Sequence, residues 1–382
     1  MCPAPGNPVG WGHEHEAGAE CHFGEAEARR ARHRKCRVTS SPTPRPFPWQ
    51  QVAWHERRSY WELAEEDRRE LRESLEQEAA SLARHAEQSL DEYAHSPGTL
   101  DGQLVNGDVL ATLLPSLRRN PTQGYEALED PAGRAAVHLN FLGKHLRDRA
   151  LAHAGGEPVM IFMGGQATGK TTGALALGPA FGAVFDAPHT DPEGVAFLLG
   201  RIRRAGCGEV HLAYTDRDPG GSLKAMLARS EREGRYVPLD RMARAHAWAP
   251  FTFLGLAQRV GRNLQLYHVQ VDETGPGRMA EGQDALASVR ARPKSHESVV
   301  AYQLQTAYLS VLRNPTHDPQ AWYPRDVLAG LNRSLDPWRR SEADHLLRRF
   351  FKAVAERSAE GDPGPRGTPD GGSEEPGPRL GG

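Results

Sequence analysis

Cysteine is scarce in this chain: four residues in 382 do not make a disulfide scaffold. No apolar run approaches the roughly 20 residues that span a bilayer. The opening MCPAPGNPVGWGHEHE has no basic segment leading into an apolar stretch, so no secretory signal is visible. An excess of one charge sign is missing too. With 47 Lys and Arg against 49 Asp and Glu, the formal net charge is −2, which counts against nucleic acid as a partner. No internal repeat of solenoid period is present. The chain therefore reads as a soluble, cytoplasmic protein with no membrane partner.

What is present is unevenly spread. Residues 1–48 are rich in Pro, Gly, Ala, Glu, Arg and His without apolar periodicity, and residues 361–382 hold almost nothing to bury. Both read as disordered tails. The Cys and His residues crowding the first 36 positions lack the tight pairs of a zinc site. Residues 49–98 form a helical arm, because Glu56–His95 carries apolar residues at steps of three and four with no Pro or Gly. Within 99–280 apolar runs alternate with amphipathic segments. Val159–Met163, Ala183–Phe185, Glu209–Tyr214 and Leu264–Val271 read as strands. Val109–Leu117, Arg134–His153, the segment from Lys170, Pro192–Ala205 and Pro219–Glu233 read as helices, the last with Asp218 as N-cap. That alternation predicts an α/β fold with a parallel sheet covered on both faces. Residues 281–360 read as helical, over Ser295–Leu312, Pro324–Asn332 and Ser341–Ala359.

The most specific signal is Gly164-Gly165-Gln166-Ala167-Thr168-Gly169-Lys170-Thr171-Thr172. It fits G-x-x-x-x-G-K-[ST] at every fixed position, with an apolar run before it and a helix-capable segment after. Glycines let successive N–H groups curl around a β-phosphate, and the helix from Lys170 adds its positive end. The Lys170 ammonium is expected to reach the β- and γ-phosphates, the Thr171 hydroxyl to ligate Mg²⁺, and Thr172 to contact the α-phosphate. The fold is thus expected to be a kinase-like P-loop NTPase with extra N- and C-terminal helices, binding ATP or GTP with Mg²⁺.

Two segments bear on what happens to the γ-phosphoryl group. The strand before Asp186 ends in that acid, a candidate for holding Mg²⁺, although a turn residue is the plainer role. Arg229, Arg232 and Arg235 recur every three residues and could form a lid over the phosphates. A solvated helix face is the alternative. Asp272 and Glu273 either line an adenine pocket or merely close a strand.

The sequence then resembles the zeta-toxin group of P-loop kinases, over about residues 100–280. The matching pieces are MGGQATGKTT, VFDAPHTDPEGVAFLLGRIRRAG, EVHLAYTDRDP, REGRYVPLDRMARAH and LYHVQVDETG. The family places its general-base Asp after the phosphate loop. Here the similar stretch, Leu104–Pro115, precedes it, so the element order looks permuted. The resemblance implies Asp108 as the base, with Asp186 as second choice; an N-cap before Val109 is the other role open to Asp108. It also implies phosphoryl transfer from ATP to a hydroxyl of UDP-N-acetylglucosamine, and a toxin with an antitoxin partner. Two other functions stay open: a nucleotide-dependent switch or scaffold acting through the helical arm, and a polynucleotide 5′-hydroxyl kinase.

Overall fold

The apolar runs of the middle segment have become neighbouring strands of one sheet. The computed structural model describes residues 57–260, 264–272, 275–292, 294–313 and 323–359. The two tails expected to be disordered, and the Cys/His-rich segment within the first, lie outside the described residues.

The chain enters through a 3₁₀ turn, Tyr60–Glu62, then helices α1 (Glu65–Arg84) and α2 (Ala86–Ala94). A two-residue strand β1 (Leu104–Val105) leads into three short helices, α3 (Gly107–Ala111), α4 (Pro115–Arg119) and α5 (Pro121–Leu128), and a long one, α6 (Ala135–Ala154). Then come β2 (Val159–Gly164), α7 (Lys170–Leu177), β3 (Ala183–Asp186), α8 (Pro192–Arg204), β4 (Val210–Asp216), α9 (Pro219–Glu233) and α10 (Leu239–Val260). A hairpin of β5 (Leu264–Asp272) and β6 (Gly275–Glu281) precedes α11 (Gly282–Ala291), α12 (Glu297–Arg313), α13 (Arg325–Arg333) and α14 (Pro337–Ala359).

The six strands lie in the order β1-β3-β2-β4-β5-β6. The first five are parallel, and only β6 runs against its neighbour. The sheet is therefore the parallel, helix-flanked α/β arrangement the sequence predicts, with an antiparallel edge added. The strand β1 precedes the loop-bearing β2 in the chain, yet it pairs at the far side of β3.

Alternation along β2 divides the core. Val159, Ile161 and Met163 face a large cluster filled from α6, α8, α10 and α11. Met160 and Phe162 face a smaller one with Leu104, Val184 and Ala174 of α7. Both faces of the central strand are buried, which explains its unbroken apolar run. Helices α12 to α14 pack with α9 and α10 around Leu223, Met242, Leu304 and Leu328.

Several expectations need correcting. Glu56–His95 is not one helix: it breaks at His85, whose ψ of 45° leaves the helical region. The break serves two clusters. Leu75 and Ala79 of α1 pack with Leu114, Leu117 and Ala127, whereas Leu90 and Tyr93 of α2 pack with Leu110, Leu142 and Leu146. Val109–Leu117 is likewise split, with Pro115 opening its second helix. The C-terminal helix begins at Pro337 rather than Ser341. Strands β1 and β6 and helix α5 were absent from the sequence-based expectation; α10 was expected only as the His-bearing helix of the zeta-toxin resemblance, and α11 only as part of the helical region 281–360. Helix α10 runs through Pro250; the ordinary penalty of about 3 kcal/mol for an interior proline is offset by burial of Met242, Ala249, Phe253 and Leu256. Among the described residues no helix is long and apolar enough to cross a membrane.

Candidate active site

The loop Gly164–Gly169 sits where β2 ends and α7 begins, between the carboxyl ends of β3 and β4. Open parallel sheets hold ligands at that edge. Two glycines are required by close approach. Gly164 has φ 150°, and a Cβ there would lie 2.2 Å from the Thr215 carbonyl oxygen of the neighbouring strand. A Cβ on Gly165 would lie 2.5 Å from the His246 imidazole of α10. The loop is pinned by side chains as well. Thr168 Oγ1 donates to the Gly165 carbonyl at 2.9 Å and stands 2.8 Å from Thr215 Oγ1. His246 Nε2 meets the Gln166 carbonyl at 3.1 Å. Burial pushes the His246 imidazole down to about 4, so near neutral pH it is an uncharged donor to that carbonyl.

Lys170 opens α7 and is buried. Its ammonium donates to the carbonyls of Gly165 at 2.6 Å and Gly164 at 3.3 Å. Burial pushes its pKa down to about 8, against the opposing pull of Asp186 and Asp108. Next along the helix, Thr171 Oγ1 donates to Asp186 Oδ2 at 2.6 Å. The same oxygen accepts from Asn106 Nδ2 at 2.7 Å. Desolvation raises the Asp186 carboxyl above the usual range, with Lys170 and the Thr171 hydroxyl working against the shift.

Asn106 ties two pieces together. Its Oδ1 caps α3, accepting from the Asp108 N–H at 2.8 Å and the Val109 N–H at 3.3 Å, while its amide reaches Asp186. The helix cap is therefore Asn106, and Asp108 is free of that duty. The Asp108 carboxylate instead forms an ion pair with Arg235. The Arg235 guanidinium lies over the Tyr125 ring, 4.8 Å from its centroid. Burial opposes the charge on Arg235, but Asp108, with Tyr125 and Glu233, more than compensates and holds its pKa above the ordinary value.

The other two arginines part company. Arg229 is half-buried beside Arg235, and burial together with that neighbouring charge lowers its pKa. Its Nη2 is buried with no hydrogen-bond partner among the described residues. Arg232 points to solvent on the outer face of α9, the solvated reading, and Thr172 is exposed as well. Asp272 closes β5, with its carbonyl accepting from Arg217 Nη2 at 2.8 Å; Glu273 lies outside the described residues.

The structure thus brings Lys170, Thr171, Asp186, Asp108, Arg229 and Arg235 to one mouth, and leaves Arg232 and Thr172 outside it. A groove of about 720 Å³ opens beside it, reaching from Asp108, Gln166 and Arg235 to Lys144, Arg147 and Arg241. Sequence reasoning missed Asn106, Tyr125 and Thr215; His246 ends the stretch REGRYVPLDRMARAH, which resembles the zeta-toxin segment leading into a His-bearing helix. Of the three missed, only Asn106 carried a signal, as an Asn-Gly-Asp turn leading from an apolar pair into a helix.

No family model matches the chain, and no curated protein matches it. Among solved structures the chain is similar to one described as the crystal structure of AvrRxo1-ORF1:AvrRxo1-ORF2 with sulphate ions. That likeness has a TM-score of 0.31 and 13% identity, and covers 59% of this chain and 89% of that one.

Proposed function

We propose that the chain is a phosphotransferase that moves the γ-phosphoryl group of ATP, or of GTP, onto a hydroxyl of a small metabolite. The observation that carries this reading is the convergence of a buried lysine, two arginines and two carboxylates around a glycine loop at the sheet edge. The residues fit a triphosphate. Arg229 Nη2 is a buried donor lacking a partner among the described residues. Thr171 Oγ1 and Asp186 Oδ2, 2.6 Å apart, are oxygen donors of the hard kind Mg²⁺ takes. Bound there, Mg²⁺ would supply charge neutralisation on the β- and γ-phosphates.

The chain's own groups divide the remaining work. Asp186 accepts two hydrogen bonds at its buried end of the cleft, which suits an anchor better than a base. Asp108 is 48% exposed at the groove, where an acceptor hydroxyl can approach. The acceptor oxygen attacks the γ-phosphorus as its proton passes to the Asp108 carboxylate; the bond to the β-bridging oxygen breaks and the nucleoside diphosphate leaves. Arg235, lying beside Asp108, and Arg229 stabilise the transferring group.

The groove's cationic groups, Lys144, Arg147 and Arg241 with Arg235, suit an anionic acceptor. The sequence resemblance to zeta toxins supports UDP-N-acetylglucosamine in that place, with toxin action restrained by an antitoxin protein. Incubation with MgATP and UDP-N-acetylglucosamine is expected to yield the sugar nucleotide heavier by one phosphoryl group in mass spectrometry. Asp108→Asn is expected to lower the transfer rate by about 10²-fold or more with ATP affinity changed less than about threefold. Equal transfer by the variant would remove Asp108 from the mechanism.

The lowered pKa of Lys170 gives a pH signature. Below about 8 the free protein carries the ammonium, and above it the proton is lost. Triphosphate affinity should therefore hold steady to about pH 8 and then weaken, by at most about tenfold per pH unit, with a proton taken up on binding. Calorimetry at pH 9 in two buffers of different ionisation enthalpy reads that uptake. An affinity constant from pH 7 to 10 would mean that Lys170 does not engage the phosphates.

A further inference from the structure

Helix α5 was missed in the sequence, yet three of its side chains hold three consecutive residues of the arginine segment. Thr122, Tyr125 and Glu126 share one helical face, at the i, i+3 and i+4 spacing. Thr122 Oγ1 donates to the Gly234 carbonyl at 2.6 Å and is also hydrogen-bonded to the Asp326 carboxyl of α13. The Tyr125 ring supports the Arg235 guanidinium. The Tyr236 hydroxyl donates to Glu126 Oε1 at 2.6 Å. Thr122, Glu126 and Tyr236 are all buried, so these bonds are made away from water.

The hold is reinforced from both sides. Glu126 Oε2 accepts from the Tyr60 N–H at 2.6 Å, and Arg333 Nη2 reaches Oε1 at 3.2 Å. At the same hydroxyl end of the ring, α13 comes so near that a Cβ on Gly330 would lie 2.0 Å from the Tyr236 hydroxyl. Tyr236 therefore has one seat. Tyr125 also donates from its hydroxyl to the Asp108 carbonyl at 3.2 Å, so one side chain touches both members of the Asp108–Arg235 pair.

We propose that the Thr122–Tyr125–Glu126 face of α5 is the positioning element for Arg235, fixing its guanidinium at the γ-phosphate through the backbone of Gly234 and the ring of Tyr236. This rests on the proposed function only in taking the γ-phosphate as the target of Arg235. Its consequence is specific. An arginine that meets only the third phosphate adds affinity for ATP and none for ADP, so loosening its seat should erode the preference for ATP alone.

The experiment measures Kd for MgATP and MgADP by calorimetry on the full chain. Arg235→Ala is the reference, expected to lower the ATP-over-ADP ratio about tenfold. Tyr236→Phe and Thr122→Val each delete one buried hydroxyl at nearly constant shape, and either carries the test should the other fail to fold. Each is expected to lower the ratio at least about threefold while ADP affinity stays within about twofold. On the Arg235→Ala background neither should lower it further. A general loosening of the fold would weaken ATP and ADP together, and that result, or an unchanged ratio in both variants, would overturn the inference. If Arg235→Ala itself keeps the wild-type ratio, the arginine's assignment in the proposed function fails, and the positioning role falls with it.

Discussion

Lys170→Ala is expected to lower MgATP affinity by about two orders of magnitude, roughly 3 kcal/mol, while the protein remains folded. The ammonium is buried between loop carbonyls and within electrostatic reach of Asp186, Asp108, Arg229 and Arg235. It donates to the Gly164 and Gly165 carbonyls of the loop. With a triphosphate present, no other cation on α7 can replace it: that helix contains only Lys170 as a charged residue. Folding should survive because Asp186, which loses a neighbouring charge, keeps its bonds from Thr171 and Asn106. Fluorescence titration with an ATP analogue, beside a thermal melt, separates the two effects. Wild-type affinity in the variant would contradict the assignment of the loop.

Gly164→Ala should be the more damaging change to the fold. Its Cβ would press on the Thr215 backbone oxygen at 2.2 Å and Thr215 Oγ1 at 2.7 Å. The β2–β4 register sets Gly164 directly opposite Thr215, so neither strand can yield without breaking the ladder. A loss of about 3 kcal/mol or more of stability is expected, together with nucleotide binding. Gly165→Ala meets a different obstacle: the His246 imidazole, a side chain rather than a strand. Its nucleotide binding should be recovered in the Gly165→Ala/His246→Ala double variant, whereas trimming Thr168 should not rescue Gly164→Ala. Denaturant melts and nucleotide titration on the set decide this; a Gly164→Ala protein as stable as wild type would show that the loop does not need that close approach.

How much of this could be read in advance follows from how local each signal is. The phosphate loop, the strand into it and the helix from Lys170 are contiguous, and all are where the sequence puts them. Asp186 was legible because a strand end exposes the next side chain at the sheet edge. Asp218 and Pro219 open α9 as their types dictate. The arginine triplet was legible only in part. Nothing local tells which residues of a three-residue repeat face the loop: Arg229 is half-buried, whereas Arg232 is exposed. Helix α5 eluded the reading because Pro121 and Gly124 dilute its apolar pattern. Its role depends on residues more than a hundred positions away in sequence. Strand β1 is two residues long, below the length at which alternation can register. Helix α10 runs on through Pro250, where by local rules it should have ended. Each miss is a case of long-range packing overriding local preference.

The central claim is that the turn between β2 and α7 wraps the phosphates of a purine nucleotide. Calorimetric titration of the full chain with MgATP, and separately with MgGTP, tests it most directly. The expected result is one saturable site with a Kd between about 1 μM and 1 mM for at least one of them, abolished by Lys170→Ala. Absence of any binding heat with both nucleotides, at protein concentrations that would reveal such a site, and with displacement of a fluorescent analogue also absent, would contradict it.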